Sequence, residues 1–207
     1  MKYPFPDRFF VTGTDTGVGK TLVCALLAVG LDAGYWKPVQ SGAGEGLDSV
    51  AVAEMAGLGK EHVVPETYVL REPLSPHLSA GLEKIRIDLD RLSLPGKPGS
   101  LIVEGAGGVM VPLNENSLII DLIKKLSVPA LIVACNRLGV ISHTLLTVEA
   151  LKTRGINILG VILNKGVNKD HKDSIEHYAH VPVLAQIEDL DRINPKILKE
   201  KFNELFS

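Results

Sequence analysis

The sequence lacks most features that mark secreted, membrane-spanning or nucleic-acid-binding proteins. It has only two cysteines, Cys24 and Cys135, and both lie in apolar segments, so we expect buried free thiols and neither a disulfide nor a metal site. No apolar run approaches the roughly 20 residues that span a bilayer, and residues 1–4 lead into charged residues without the apolar region of a signal peptide. The net charge of -2 gives no reason to expect nucleic acid or an anionic membrane as a partner. The sequence therefore predicts a cytoplasmic protein that binds neither.

A glycine-rich loop near the N-terminus is the clearest motif that is present. Apolar β-formers lead into it, and Gly19-Lys20-Thr21 opens an apolar, helix-like segment. Glycines allow successive backbone N–H groups to surround an anion, and the helix N-terminus adds partial positive charge. Lys20 can then reach the β- and γ-phosphates, and the Thr21 hydroxyl can ligate Mg²⁺. The predicted nucleoside triphosphate site is Gly13, Thr14, Asp15, Thr16, Gly17, Val18, Gly19, Lys20 and Thr21.

Strand-like and helix-like segments alternate along the chain. Residues 101–103 and 130–134 are wholly apolar, which is typical of central parallel strands buried on both faces. No repeat, low-complexity tract or linker interrupts the alternation, so residues 1–207 are predicted to form a single α/β domain of P-loop type. Its sheet is expected to be mostly parallel, with helices on both faces.

The other predicted segments come from apolar patterning and turn residues. Strands are expected at 34–39, 66–70, 158–163 and 183–187, an extended segment at 109–113, a loop at 94–99, and helices at 22–31, 49–56, 73–84, 118–126, 142–152, 170–178 and 195–206.

Polar and glycine-rich residues cluster where the predicted strands end. Ligands of parallel α/β sheets bind beyond the carboxyl ends of the strands, so these clusters are expected to meet at one site. The clusters are residues 13–21, 37–41, 104–108, 136–139 and 164–166.

Three charged residues are candidates for a catalytic or metal-binding role. Lys37 and Glu104 lie in these clusters, and Asp48 follows the cluster at 37–41. Glu104 ends an apolar strand and could serve Mg²⁺ directly or through water, or it could be a solvated strand-end carboxylate. Asp48 could be a second carboxylate for the metal or, equally, a helix N-cap. Lys37 could neutralise a charged substrate or a transferring phosphoryl group, whereas an isolated lysine is more often a solvated surface residue.

Asn164 and Lys165 follow an apolar strand at a place where P-loop proteins often contact a purine base. A guanine-reading motif would need an aspartate where Val167 stands, so guanine selectivity is not expected. Four histidines have no ligand-like spacing with a cysteine, and no zinc site is predicted from His143, His171, His177 and His180.

The loop at residues 11–21, which has five residues between Gly13 and Gly19 where the usual motif has four, resembles that of dethiobiotin synthetases. Further blocks follow in the family order, and the resemblance extends from residue 9 to about residue 187. These blocks are Lys37-Pro38-Val39-Gln40-Ser41-Gly42, Ser75-Pro76-His77-Leu78, Val103-Glu104-Gly105-Ala106-Gly107-Gly108 and Leu138-Gly139-Val140-Ile141-Ser142-His143.

The resemblance implies an ATP- and Mg²⁺-dependent ligase of biotin synthesis. In this family 7,8-diaminopelargonate takes up CO₂ (or bicarbonate) as a carbamate, ATP phosphorylates the carbamate, and the second amine closes a cyclic urea. Lys20 would hold the β- and γ-phosphates, and Lys37 would stabilise the carbamate and the transition state. The implied metal set is Thr21, Asp48 and Glu104, and the implied substrate contacts are Lys37, Ser41, Gly107, Gly139 and His143. Family members are homodimers in which the diamine carboxylate meets a helix N-terminus across the interface, the position of residues 139–143 here.

The resemblance also implies a set of nucleotide contacts beyond the loop. Two positions depart from the family pattern: Lys165 stands where an aspartate is common, and Glu188-Asp189 stand where proline and an apolar or aromatic residue are frequent. The implied contacts are Asp48, Glu104, Gly105, Ala106, Gly107, Asn164, Lys165, Glu188, Asp189 and Leu190.

Two other functions share this kind of loop. A regulatory ATPase of the cell-division positioning type would bind membranes through a C-terminal amphipathic helix, and residues 196–206 could form one. Those ATPases carry a lysine early in the loop, where this chain has Thr14-Asp15-Thr16, and they lack the Lys-Pro-Val block. An ATP-dependent amidation enzyme usually needs a glutaminase domain, for which 207 residues leave no room.

Overall fold

The computed structural model describes residues 3–96 and 99–206. Part of the predicted loop at 94–99 and the first two residues of the chain lie outside these ranges. Within them, no helix combines the length and apolar character required to cross a membrane.

A parallel sheet of seven strands forms the centre of the molecule, in the order β4-β2-β6-β1-β7-β8-β9. Two further short strands, β3 and β5, pair with each other outside it. The strands are β1 (Arg8–Gly13), β2 (Gly34–Trp36), β3 (Val39–Gln40), β4 (Val63–Val64), β5 (Tyr68–Val69), β6 (Leu101–Gly108), β7 (Ala130–Cys135), β8 (Ile158–Asn164) and β9 (Val183–Ile187).

Helices cover both faces of the sheet, as predicted. One layer contains α1, α2 and α7, which contact one another, and the opposite face carries α3, α4, α5 and α6. The helices are α1 (Lys20–Leu31), α2 (Asp48–Ala56), α3 (Pro76–Leu82), α4 (Ile119–Leu126), α5 (Val140–Thr153), α6 (Lys169–Ala179) and α7 (Pro195–Phe206).

The central strand β1 shows why its sequence is apolar at successive positions. Phe9, Phe10 and Val11 are all fully buried. Phe9 and Val11 pack beneath α1, whereas Phe10 packs on the opposite face. Because neighbouring side chains of a strand point to opposite faces, a strand covered on both sides needs apolar residues without alternation.

The second predicted strand, residues 34–39, is wrong in its extent. β2 ends at Trp36, and Val39 and Gln40 leave the main sheet to pair with β5. Pro38 has no N–H to donate to a ladder, which explains the interruption. Lys37 therefore lies outside the main sheet, just after the end of β2, where the neighbouring strand β6 continues.

Two other predicted segments also differ from the structure. Residues 109–113 are not an extended segment but a turn followed by an isolated bridge between Pro112 and Leu118. Helix α3 begins at Pro76, where the proline within the segment 73–84 marks its start, since proline is favoured in the first helical turn, but it ends at Leu82 and not at residue 84. The short edge strand β4 was not predicted at all.

The C-terminal helix α7 packs on α1. Its apolar residues Leu198, Phe202 and Phe206 are buried to 2% exposure or less. A β-carbon added at Gly30 of α1 would lie 2.1 Å from Cδ2 of Phe202, so the close approach of the two helices requires glycine there. The amphipathic face at the C-terminus is thus occupied by the protein's own core.

Gly30→Ala is expected to destabilise the protein by about 1–3 kcal/mol, because overpacking outweighs the gain in helix propensity. The matched control is Gly81→Ala in α3, where an added β-carbon would meet no atom within 4 Å. That variant is expected to gain about 0.5–1 kcal/mol. Urea unfolding midpoints measure both, and shifts in the same direction would contradict the packing described for Phe202.

Candidate active site

A cleft of about 750 Å³ opens at the carboxyl ends of the strands. It brings together most of the predicted site residues from the loop, from the segment after β2, from β6 and the end of β8, and from α2. Those lining it are Thr16, Gly17, Gly19, Lys20, Thr21, Lys37, Ser41, Asp48, Glu104, Ala106, Gly107, Asn164 and Lys165.

The loop between β1 and α1 has the geometry of a phosphate-binding turn. Gly19 caps α1 in a left-handed conformation with φ of 94°, and an added β-carbon would lie 2.0 Å from Nδ2 of Asn164. Only glycine satisfies both constraints. The loop therefore delivers the N-terminus of a twelve-residue helix to the cleft, which is a ready site for an anion.

Lys20 lies at the base of this cleft and is only 7% exposed. Its Nζ donates to the backbone carbonyl of Asp15 at 3.2 Å. Burial lowers the pKa of the Lys20 ammonium; Glu104 opposes this shift, and the Lys37 ammonium adds to it. The positive charge of Lys20 is only partly neutralised by the surrounding protein groups. This favours binding of an anion beside it.

Asn164 and Lys165 contact the loop itself. Nδ2 of Asn164 donates to the carbonyl of Val18 at 3.0 Å, and Nζ of Lys165 donates to the carbonyl of Gly17 at 3.3 Å. The position of both residues after β8 was expected from the sequence, whereas these contacts with the loop were not.

Glu104 is buried at 1% exposure and accepts hydrogen bonds at both carboxylate oxygens. Oε1 accepts from the Thr21 hydroxyl at 3.1 Å and from Nζ of Lys37 at 3.2 Å. Oε2 accepts from the hydroxyl of Tyr35 at 2.9 Å. The alternative of a solvated strand-end glutamate is wrong.

Lys37 is 5% exposed and forms an ion pair with both Asp48 and Glu104. Its ammonium thus joins two carboxylates from different elements, and the alternative of a solvated surface lysine is wrong. The N-cap alternative for Asp48 is also wrong, because Leu47 occupies the N-cap of α2 and the Asp48 carboxylate contacts Lys37.

The oxygen donors around Glu104 suit a hard cation such as Mg²⁺. Thr21 Oγ1 and Glu104 Oε1 are adjacent, and Asp48 is linked to them through Lys37. Among the described residues, no group of three or more acidic, histidine or cysteine side chains forms a complete metal cage. Mg²⁺ is typically bound by one or two carboxylates together with waters and substrate phosphates, so this incomplete set fits it.

Ser41 lines the same cleft, and its hydroxyl oxygen is buried without a hydrogen-bond partner among the described residues. Buried polar groups are normally paired, so an unpaired hydroxyl in a cleft is available to a ligand.

A second cavity of about 470 Å³ adjoins the first, and Thr16 and Val111 line both. His143 lines it together with Thr14 and Asp15. The remaining residues of its wall are Gly108, Val109, Met110, Leu146 and Thr147. Gly139 caps α5, which carries His143, but does not itself line either cavity.

Several predicted nucleotide contacts lie outside both cavities. Gly13, Val18 and Gly105 are buried in the fold. Glu188 and Asp189 are exposed after β9, and Leu190 packs on the core beneath α1. The β9 end is close to the β8 end, since the Gly166 N–H donates to the carbonyl of Ile187 at 2.9 Å.

The contact of Tyr35 with Glu104 was not predicted from the sequence. It depends on the strand register of the fold: Tyr35 pairs with Ile102 of β6, which places it on the same sheet face as Glu104, two residues further on.

Solved structures with this fold include the septum site-determining protein MinD with Mg-ADP from Pyrococcus horikoshii OT3. The TM-score is 0.58 at 17% identity, with 96% of this chain and 92% of that chain covered. This likeness concerns the fold alone. Residues 7–196 match the AAA domain family.

Closer similarity is found among curated proteins. The chain is 50% identical over 184 residues to the ATP-dependent dethiobiotin synthetase BioD of Paramagnetospirillum magneticum, which covers 89% of each chain. It is also 50% identical over 190 residues to the biotin biosynthesis bifunctional protein BioCD of Bordetella avium, covering 91% of this chain and 41% of that protein. With half of the residues identical over most of both chains, and with the phosphate loop and charged cluster in one cleft, the protein belongs to the ATP-dependent dethiobiotin synthetase family.

Proposed function

We propose that the protein is a dethiobiotin synthetase that converts 7,8-diaminopelargonate, CO₂ and ATP into dethiobiotin, ADP and phosphate. The observation that carries this proposal is the buried ammonium of Lys37, which lies between Asp48 and Glu104 in the same cleft as the phosphate loop. A phosphate loop alone would serve any nucleotide-binding protein. A second buried lysine beside it suits a reaction in which an anionic substrate attacks the nucleotide.

The reaction proceeds in three steps. One amine nitrogen attacks CO₂ and loses a proton, which gives a carbamate. A carbamate oxygen then attacks the γ-phosphorus, and the bond to the β,γ-bridging oxygen breaks with release of ADP. The second amine attacks the carbamate carbon, the phosphate leaves with its oxygen, and loss of a proton completes the cyclic urea.

The charges in the cleft match the difficult second step. Two anions must approach each other, and phosphoryl transfer depends mainly on positioning and on charge neutralisation. Lys20, in the first turn of α1, would bind the β- and γ-phosphates. Lys37, which follows β2, would neutralise the negative charge of the carbamate and of the transferring phosphoryl group. The two ammonium groups therefore act on the two reactants from different elements of the fold.

Thr21 and Glu104 are the residues that would hold Mg²⁺, with Asp48 as the third oxygen donor. When bound with the nucleotide, the cation would neutralise charge on the phosphate oxygens. The chain's own contribution is to keep these oxygens together: Thr21 already contacts Glu104, and Lys37 balances the two carboxylates.

The diamine would occupy the second cavity, whose wall includes the apolar side chains of Val109, Met110 and Leu146 and which meets the nucleotide cleft at Thr16. Its amine end would lie near Ser41 and Gly107, which line the first cavity. In the homodimer its carboxylate would lie toward residues 139–143 of a second copy, across the interface, where the N-terminus of α5 favours an anion.

We also propose a homodimer, as in the family, and a cytoplasmic location. Leu138 is 97% exposed and Leu146 is 66% exposed beside the second cavity, and a second copy covering them would bury this apolar surface.

Cys24 and Cys135 are unpaired in the structure, which suits a reducing compartment, although Cys135 is half-buried and not fully buried as predicted.

Phosphate release from ATP is expected to require both 7,8-diaminopelargonate and bicarbonate, because the attacking group is the carbamate and not water. A coupled phosphate assay with each substrate omitted in turn measures this dependence, and product mass identifies dethiobiotin. Equal turnover of ATP without the diamine would support a regulatory ATPase instead.

Lys20→Ala is expected to abolish turnover and to weaken nucleotide binding, since residues 13–21 contain no other cationic side chain. Calorimetric titration with ADP and the coupled assay give the two readouts. An unchanged affinity and rate would exclude a role for the loop in phosphate binding.

Lys37→Gln is expected to lower kcat by about 10²–10³, the usual effect of removing one electrostatic group of an active site. ATP affinity should fall less, because Lys20 and the loop remain. Lys60→Gln, at an exposed position, is the control and should change neither quantity. A Lys37→Gln protein with near-normal kcat would refute the catalytic role of Lys37.

A further inference from the structure

The two oxygens of the Glu104 carboxylate have different partners. Oε1 receives the Thr21 hydroxyl and the Lys37 ammonium, which both belong to the lining of the nucleotide cleft. Oε2 receives the Tyr35 hydroxyl, and Tyr35 is fully buried and does not line the cleft. Oε2 thus contacts a side chain of the core, and Oε1 contacts side chains of the nucleotide cleft.

The sheet explains how a tyrosine on one strand reaches a glutamate on the next. Tyr35 of β2 lies opposite Ile102 of β6, and Glu104 is two residues further along β6. This separation is about 6.6 Å along a parallel strand. An aromatic side chain can span such a diagonal between neighbouring strands. Phenylalanine would fill the same space but would donate no hydrogen bond.

The Tyr35 hydroxyl donates to Oε2 at 2.9 Å from a fully buried side chain. Oε2 therefore faces the core of the protein, whereas Oε1 faces Thr21 and Lys37 at the cleft.

We propose that Tyr35 is a positioning residue for Glu104: its hydroxyl occupies Oε2 and thereby directs Oε1 toward Thr21, where Mg²⁺ would be held together with the nucleotide. The inference rests on the proposed function for the assignment of the metal, while the contacts that carry it lie within the chain. Without the hydroxyl, one oxygen of a buried carboxylate loses its partner, and the Thr21 and Lys37 donors can be shared between both oxygens.

The test is Tyr35→Phe, which keeps the ring. Tyr68→Phe is a matched control, because Tyr68 is also buried and its hydroxyl accepts a hydrogen bond from the Asp88 N–H at 3.0 Å, outside the cleft. Affinity for the β,γ-imido analogue of ATP is measured by calorimetry with EDTA and with Mg²⁺, alongside melting temperatures. The ratio of the two affinities reports the metal site independently of turnover.

Tyr35→Phe is expected to bind the analogue normally in EDTA and to lose about 10–100-fold of the tightening that Mg²⁺ provides, the usual effect of losing a group that orients a metal ligand. Tyr68→Phe should keep the full tightening even though its melting temperature falls. In a Glu104→Gln background, Tyr35→Phe should cause no further loss, because both changes act on the same group.

The inference is overturned if Tyr35→Phe retains the wild-type response to Mg²⁺, or if its effect adds fully to that of Glu104→Gln. The proposed function fails separately. If the wild-type chain releases no phosphate with the diamine and bicarbonate while Tyr35→Phe still loses the Mg²⁺ response, the reaction assignment falls and the role of Tyr35 stands.

Discussion

The ion pairs of the buried Lys37 with Asp48 and Glu104 hold the site together. A buried charge without a partner is strongly destabilising, so the buried Lys37 and Glu104 depend on these contacts. The pairs join the segment after β2 to α2 and β6, and the Thr21 hydroxyl extends the network to α1. The elements that bear the phosphate loop and the substrate-facing lysine are thus fixed relative to one another by the groups that carry out the chemistry.

Much of the architecture follows from the sequence because its causes are local. Apolar runs predicted the central strands, and β9 and α7 have the predicted bounds. The errors at residues 34–39 and 109–113 arise where pairing partners decide the conformation. Val39 is a good strand former, yet it pairs outside the main sheet because Pro38 interrupts the ladder.

The convergence of residues near strand ends in one cleft was predicted from the sequence, whereas the contacts behind that cleft were not. Lys37, Glu104 and Thr21 were expected at one cleft from their positions after strands. The hydrogen bond from Tyr35 could not be predicted, because it depends on the register between β2 and β6, which are 60 or more residues apart in the chain. Glu188 and Asp189 are the opposite case. They follow directly after β9 in the sequence, yet their side chains are exposed and do not lie in the cleft.

The contacts of Asn164 and Lys165 with the carbonyls of Val18 and Gly17 have a consequence for affinity. Ordering a flexible loop around a ligand costs conformational entropy, which reduces the observed binding free energy. Here the carbonyl side of the turn is held within the chain itself, by the side chains of Asn164 at the end of β8 and of Lys165 after it. The backbone amides can therefore meet the phosphates with little ordering of the loop, and more of the interaction energy is retained as affinity.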